Sequence, residues 1–128
     1  MKLRQDVRDW LQKAEVDFES AKILSRKRKQ NLVDAVCFHS QQCAEKYLKA
    51  LLTRHRISFP KTHDLVELLQ LALAIEPTLE LLRPDLIRLR PFAVNVRYPG
   101  EFATKKDAKV SLKAMGHVRE RIRTLLIC

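Results

Sequence analysis

Three side chains in the middle of the chain, His39, Gln42 and Lys46, stand at offsets of three and seven residues. On an α-helix that spacing returns to one side. Imidazole, amide and ammonium all donate hydrogen bonds, so such a row can hold a phosphate or the polar edge of a nucleobase. The same row could equally be a polar seam between helices. A second set of cations, Arg88, Arg90 and Arg97, surrounds a short proline-containing segment that ends in RYPG. Guanidinium groups placed this way can form an anion-gripping fork, with Tyr98 beside them. The alternative is that Arg97 and Tyr98 anchor a turn onto the core.

Other chemistries find little support. His39, His55, His63 and His117 form neither an HxxxH nor an HExxH pair, so no metal site is expected. No Ser, His, Asp arrangement and no paired acids suggest a hydrolase or glycosidase. The chain has 2 glycines, too few for a Gly-rich phosphate loop or a hairpin-rich β fold, and no cofactor is expected. Cys37 and Cys43, six residues apart on one helix, are separated by about 9 Å along its axis and cannot bridge. They read as small buried hydrophobes, and Cys128 is uninformative.

The 128 residues suit a single domain spanning 1–128, and 46% hydrophobic with 31% charged residues suits a globular protein. The net charge of +10 favours a polyanionic partner such as RNA, DNA, a nucleotide or an acidic protein. Without a long apolar run, and with the charged start MKLRQDVRDW, a cytoplasmic location is the expectation.

Helical periodicity supplies the elements that must position these residues. Leu3, Val7, Trp10, Leu11, Ala14, Phe18 and Ala21 predict a first helix over 3–28, with Asp6, Asp9, Lys13, Asp17 and Lys22 on its exposed side. The run Arg26 to Lys29 closes it, where cations complement the helix dipole; it reads first as a solvated helix end, with a grip on phosphates as the alternative. Asn31 is the expected cap of a second helix over 32–56, in which Glu45 and Lys49 form an i, i+4 pair. Its apolar arc, Val36, Ser40, Cys43, Ala44, Tyr47, Leu48 and Leu51, is broad enough to predict a central helix. A third helix begins at Thr62 or His63. Pro77 stops that helix or opens a short one, and Leu86, Leu89, Phe92, Ala93 and Val96 predict another over 85–96, with Pro91 kinking it or lying early in it. A turn at Tyr98, Pro99 and Gly100 precedes a last, strongly basic helix over 105–127. The expected fold is all-α, a four- to five-helix up-and-down antiparallel bundle.

HSQQCAEKYLKALL (39–52), KTHDLVELL (61–69) and RPFAVNVRYPGE (90–101), in this order, resemble the HEPN domain. The likeness spans nearly the whole chain and points to the RYPG-containing branch of small stand-alone prokaryotic HEPN proteins. It implies a helical bundle that usually dimerises and is often partnered by a minimal nucleotidyltransferase as a toxin–antitoxin pair. Many members are metal-independent ribonucleases that use an Arg, four to six intervening residues and a His. In this chain Asn95 follows Arg90 at that spacing, and Asn cannot exchange protons at neutral pH. Arg56 and His63 match the spacing formally but cross Pro60 in a loop of a different block, which reads as coincidence.

The resemblance and the charge together favour a dimeric binding module for nucleotide or RNA and for a nucleotidyltransferase partner, with His39, Gln42, Lys46, Arg90, Arg97 and Tyr98 as binding residues. The alternative is a ribonuclease toxin with a degenerate Arg/His motif, in which Arg90, Asn95, Arg97 and His39 do the work. A bundle that merely binds and neutralises a partner enzyme is the third reading.

Overall fold

The expected central helix is present as Val33–Arg54 (α2), and Gln5–Arg26 (α1), Leu65–Ala72 (α3), Arg83–Leu89 (α4) and Lys105–Ile127 (α5) all pack on it. A computed structural model describes residues 2–94 and 98–127, so Asn95, Val96, Arg97 and Cys128 lie outside the described residues. Among the described residues there is no strand, and 3-10 segments at Gln30–Leu32, Pro77–Leu82 and Arg90–Phe92 join the helices.

Every member of the predicted apolar arc of α2 is buried. Ser40 is tolerated there because its hydroxyl donates to the Val36 carbonyl at 2.8 Å. Cys37 and Cys43 are buried within the core, and burial pushes the Cys43 thiol above its ordinary range. Each large apolar side chain so buried contributes about 1.5–3 kcal/mol relative to exposure. The arc is broad because partners lie on several sides of α2.

Named contacts fix the directions of the helices. Arg4 reaches Thr53 and Asp17 reaches His39, so α1 and α2 are antiparallel. Asp64 pairs with Arg90 and Gln70 with Arg83, so α3 and α4 are antiparallel too. Residues 55–64 run back along α2, where Gln41 Nε2 donates to the His63 carbonyl at 3.1 Å, and α3 then runs in the same sense as α2. The bundle is therefore all-helical as expected, with one return loop inserted in its up-and-down order.

Boundaries follow local chemistry, with three corrections: the helix expected over 85–96 ends at Leu89, and two expected caps are not the caps. Asn31 does not cap α2: the chain enters through the 3-10 turn, and Asp34 instead accepts from the Ala103 amide at 2.8 Å, tying the approach to α5 onto α2. Neither Thr62 nor His63 starts α3, because Asp64 is its cap and accepts from the Val66 and Glu67 amides. Pro77 opens its segment, and Pro91, which lacks an N–H, falls in the 3-10 turn that ends α4. The turn after the undescribed residues closes with Glu101 N–H donating to the Tyr98 carbonyl at 3.0 Å. Gly100, at φ +90°, occupies the position where such a turn needs a positive φ. Thr104 and Asp107 then cap α5 reciprocally. No helix among the described residues is long and apolar enough to cross a membrane.

Candidate functional site

Of the predicted row on α2, His39 and Lys46 do converge, but on a carboxylate. Asp17 of α1 accepts from His39 Nδ1 at 2.8 Å and from Lys46 Nζ at 2.5 Å. Asp17, expected on the exposed side of α1, is buried. Burial raises its pKa, but the hydrogen bonds and charges of His39 and Lys46 outweigh this and hold it below the ordinary carboxylate range. A buried carboxylate balances much of the row's positive charge. Gln42 turns aside and donates to Gln41 Oε1 at 2.7 Å.

The α3-facing side of α2 carries a second polar cluster, which the sequence did not announce. Glu45, only 2% exposed, accepts from Lys49 at 2.9 Å, from Gln41 at 3.2 Å and from His63 Nδ1 at 3.0 Å. The Glu45–Lys49 pair is thus interior, where Lys49 also lies over the rings of Trp10 and Phe59. The His63 side chain is 65% exposed, so its ring is held at one nitrogen while the other edge meets solvent. Next to it, Asp64 Oδ2 accepts from Arg90 at 2.7 Å. Burial raises the Asp64 pKa, yet the Arg90 hydrogen bond, the two cap amides and the Arg90 charge together lower it.

Arg90 therefore belongs to the α3 side of α2, whereas His39 and Lys46 belong to the α1 side. Arg88 pairs with Asp85, which also holds His117. Tyr98 is 77% exposed at its turn. Asn95 and Arg97 lie outside the described residues.

On α5 the basic residues divide by face. Arg119 donates twice to Glu15, at 2.8 and 2.7 Å, and stacks on Phe18 with 4.1 Å to the ring centre. Tyr47 donates to the same carboxylate, which the Arg119 hydrogen bond above all holds below its usual range. Burial, then the Glu15 hydrogen bond, push the Tyr47 phenol up to about 12. These groups stitch α1, α2 and α5 together and are spent on the fold.

A cleft of about 350 Å³ lies between the end of α1, the start of α2 and the start of α5. Arg28, Lys29, Lys105 and Lys109 rim it, while Leu24, Val33, Val36, Ala108 and Leu112 form its floor. No carboxylate lines it, and none of its four cations forms an ion pair with a described residue. Lys22, Arg26 and Lys113 extend the positive surface along the neighbouring groove between α1 and α5. Arg28 holds φ 54°, a left-handed conformation that ends α1 and turns the chain into this rim. The exposed rings of Tyr98 and Phe102 precede α5 in the chain. In the sequence the run Arg26 to Lys29 fits a solvated helix end better than a phosphate grip. Tertiary folding sets a second basic run, 105–113, opposite it.

Among the described residues no group of three or more His, Cys, Asp or Glu side chains is placed to hold a metal ion. No curated protein matches the chain by sequence. The crystal structure of an archaeal HEPN homologue matches over 98% of each chain, with a TM-score of 0.72 and 25% identity. The HEPN domain family model matches residues 7–125, which include the buried arc of α2, the return loop and nearly all of α5. On that match, together with its all-helical fold, the chain belongs to the HEPN domain family.

Proposed function

We propose that this HEPN-domain protein is a binding module for RNA or a nucleotide, and that the basic cleft between α1, α2 and α5 is where phosphate is held. The observation that carries the reading is a cleft rimmed by Arg28, Lys29, Lys105 and Lys109 with no carboxylate to neutralise them. Its apolar floor suits a base or ribose face, and the exposed Tyr98 and Phe102 rings suit stacking of unpaired bases. His39, Gln42, Lys46, Arg90 and Arg97 are secondary contacts in this proposal, since a ligand at His39 and Lys46 would compete with Asp17, and one at Arg90 with Asp64.

HEPN domains are commonly dimeric, and the proposed working form is a homodimer that also binds a minimal nucleotidyltransferase within a toxin–antitoxin pair. An adjacent nucleotidyltransferase reading frame and co-purification of its product support that pairing. Non-association of the two purified proteins removes it.

Binding is tested by fluorescence anisotropy with a single-stranded RNA oligonucleotide over a salt series. Phosphate contacts by four rim cations give a slope of log K against log salt of roughly −3, since each contributes about −0.7 on single strands. Lys105→Glu with Lys109→Glu weakens binding about tenfold or more and flattens the slope. Salt-independent binding, or an undiminished double variant, overturns the assignment of the cleft.

A further inference from the structure

We propose that the ligand of the basic cleft is an unpaired strand of RNA several nucleotides long, running from Phe102 at the cleft mouth along the groove between α1 and α5 as far as Gly116. The inference rests on the binding reading above and adds to it the form of the nucleic acid and its path.

The path is continuous because the cleft and the groove share walls. Ser25, Lys109 and Leu112 line both. α1 and α5 each pack on α2 and touch one another little, which leaves a furrow between them with Phe18, Leu112 and Met115 along it. Lys22, Arg26 and Lys113 stand beside it and, like the rim cations, form no ion pair with a described residue. From Lys105 to Gly116 the furrow follows α5 for about 16 Å by helix rise. A mononucleotide cannot reach both ends, whereas consecutive phosphates of one strand can. Past Gly116 the lining changes: Glu120 enters it, and Arg119 is already bound to Glu15. The electrostatic path therefore stops at Gly116.

Each end of the path carries a feature of its own. Gly116 lies inside α5, where glycine weakens a helix relative to alanine. A Cβ there would meet nothing within 4 Å, so no neighbour in the fold demands its absence. The bare backbone instead lowers the wall of the furrow where a ribose or base can approach. At the other end Phe102 is 74% exposed, yet the backbone beside it is pinned. Ala103 N–H donates to Asp34 at 2.8 Å, and the Ala103 carbonyl accepts from Gln30 at 3.3 Å. Gln30 follows the rim residue Lys29 in the chain, and Lys105 comes three residues after Phe102. An exposed ring is thus carried on fixed backbone next to rim cations, an arrangement suited to stacking on a base. Phe18 cannot serve in this way, because Arg119 and Lys22 lie over its ring.

This combination selects against a duplex. Paired RNA presents its phosphates outward and keeps its base faces stacked on one another, so it meets the cations but leaves the apolar floor and the Phe102 ring uncovered. An unpaired strand supplies both phosphates and free base faces. An acidic peptide supplies the charge without the flat aromatic faces.

The test is fluorescence anisotropy of the full chain with labelled single-stranded RNA trimers, hexamers and nonamers, and with a duplex of the nonamer sequence. Affinity is expected to rise about tenfold or more from trimer to hexamer and to level off by the nonamer, with the duplex weaker than the nonamer by a similar factor. The nonamer salt slope is expected to be steeper than the roughly −3 of the rim cations alone, because Lys22, Arg26 and Lys113 add about −0.7 each. Gly116→Glu, which the open space accommodates, is expected to weaken the hexamer about tenfold and the trimer little. Phe102→Ala, at an exposed side chain, is expected to weaken single strands about fivefold or more without changing the salt slope, which separates stacking from charge. Wild-type circular dichroism identifies both variants as folded. A duplex that binds as tightly as the single strand, affinity that stops rising at the trimer, poly-glutamate that displaces the nonamer at equal charge, or a hexamer affinity unmoved by both substitutions overturns this inference and leaves the phosphate cleft standing. Absence of binding by every RNA removes the function of the cleft as well.

Discussion

Single ionisable residues hold much of the interior of this protein, and their pairing makes them sensitive to substitution and to pH. Lys49 and Glu45 are both buried, so removing either leaves a charge in the core that nothing else fully compensates. Lys49→Ala is expected to cost about 3 kcal/mol in urea unfolding, far more than the few tenths that the same i, i+4 spacing contributes on a helix surface. Glu15 shows the pH dependence. Its folded pKa is below the ordinary 4.5, so the stability it contributes is present above that value and is lost as pH falls through the folded value. Tyr47 acts at the other end: its contribution is complete below the ordinary 10.0 and is lost as pH rises through about 12. Urea midpoints measured across pH are expected to fall at both extremes, with Glu15→Gln flattening the acid limb and Tyr47→Phe the alkaline one.

At the scale of elements, helix ends decide where functional groups stand. α2 terminates in a Schellman arrangement: Arg56 N–H donates to the Thr53 carbonyl and Ile57 N–H to the Leu52 carbonyl, with Arg56 at φ 57°. Glycine is the residue that takes this conformation without strain, so Arg56→Gly is expected to raise stability by about 0.5–1 kcal/mol, read from the urea midpoint. This reversal sends the loop back along α2 and delivers His63 to Glu45. α1 ends similarly at Arg28, and there the turn places Arg28 and Lys29 on the rim of the cleft. Asp64 serves two elements at once, capping α3 and holding Arg90 at the end of α4.

For the whole molecule, the net charge of +10 is distributed unevenly. Arg119 of α5 and Lys46 of α2 are consumed by acids of α1, whereas the cations at the junction of α1, α2 and α5 face no acid. In the function we propose, the unpaired set is what a polyanion would meet, and binding is then expected to weaken steeply with salt. If the cleft is the ligand surface proposed above, sedimentation of the wild-type protein and of the Lys105→Glu, Lys109→Glu double variant is expected to give the same oligomeric state. A double variant that becomes monomeric would make the cleft a subunit interface instead.

The sequence by itself determined the helices and the centrality of α2. A repeating apolar arc and a scarcity of glycine are local properties, and burial follows from them directly. It also carried the blocks that resemble HEPN, and the family match bears that resemblance out. What it left open was which polar groups cancel and which remain available. Asp17 looked like a surface acid and proved to be the partner of His39 and Lys46, because only the packing of α1 on α2 brings them together. Glu45 and His63 are 18 residues apart with a reversal between them, a separation at which no helical period relates side chains. The rim of the cleft joins residues 28–29 to residues 105–109. Charges so distant in sequence become one electrostatic site only when tertiary packing sets their spacing and excludes the carboxylates that would neutralise them.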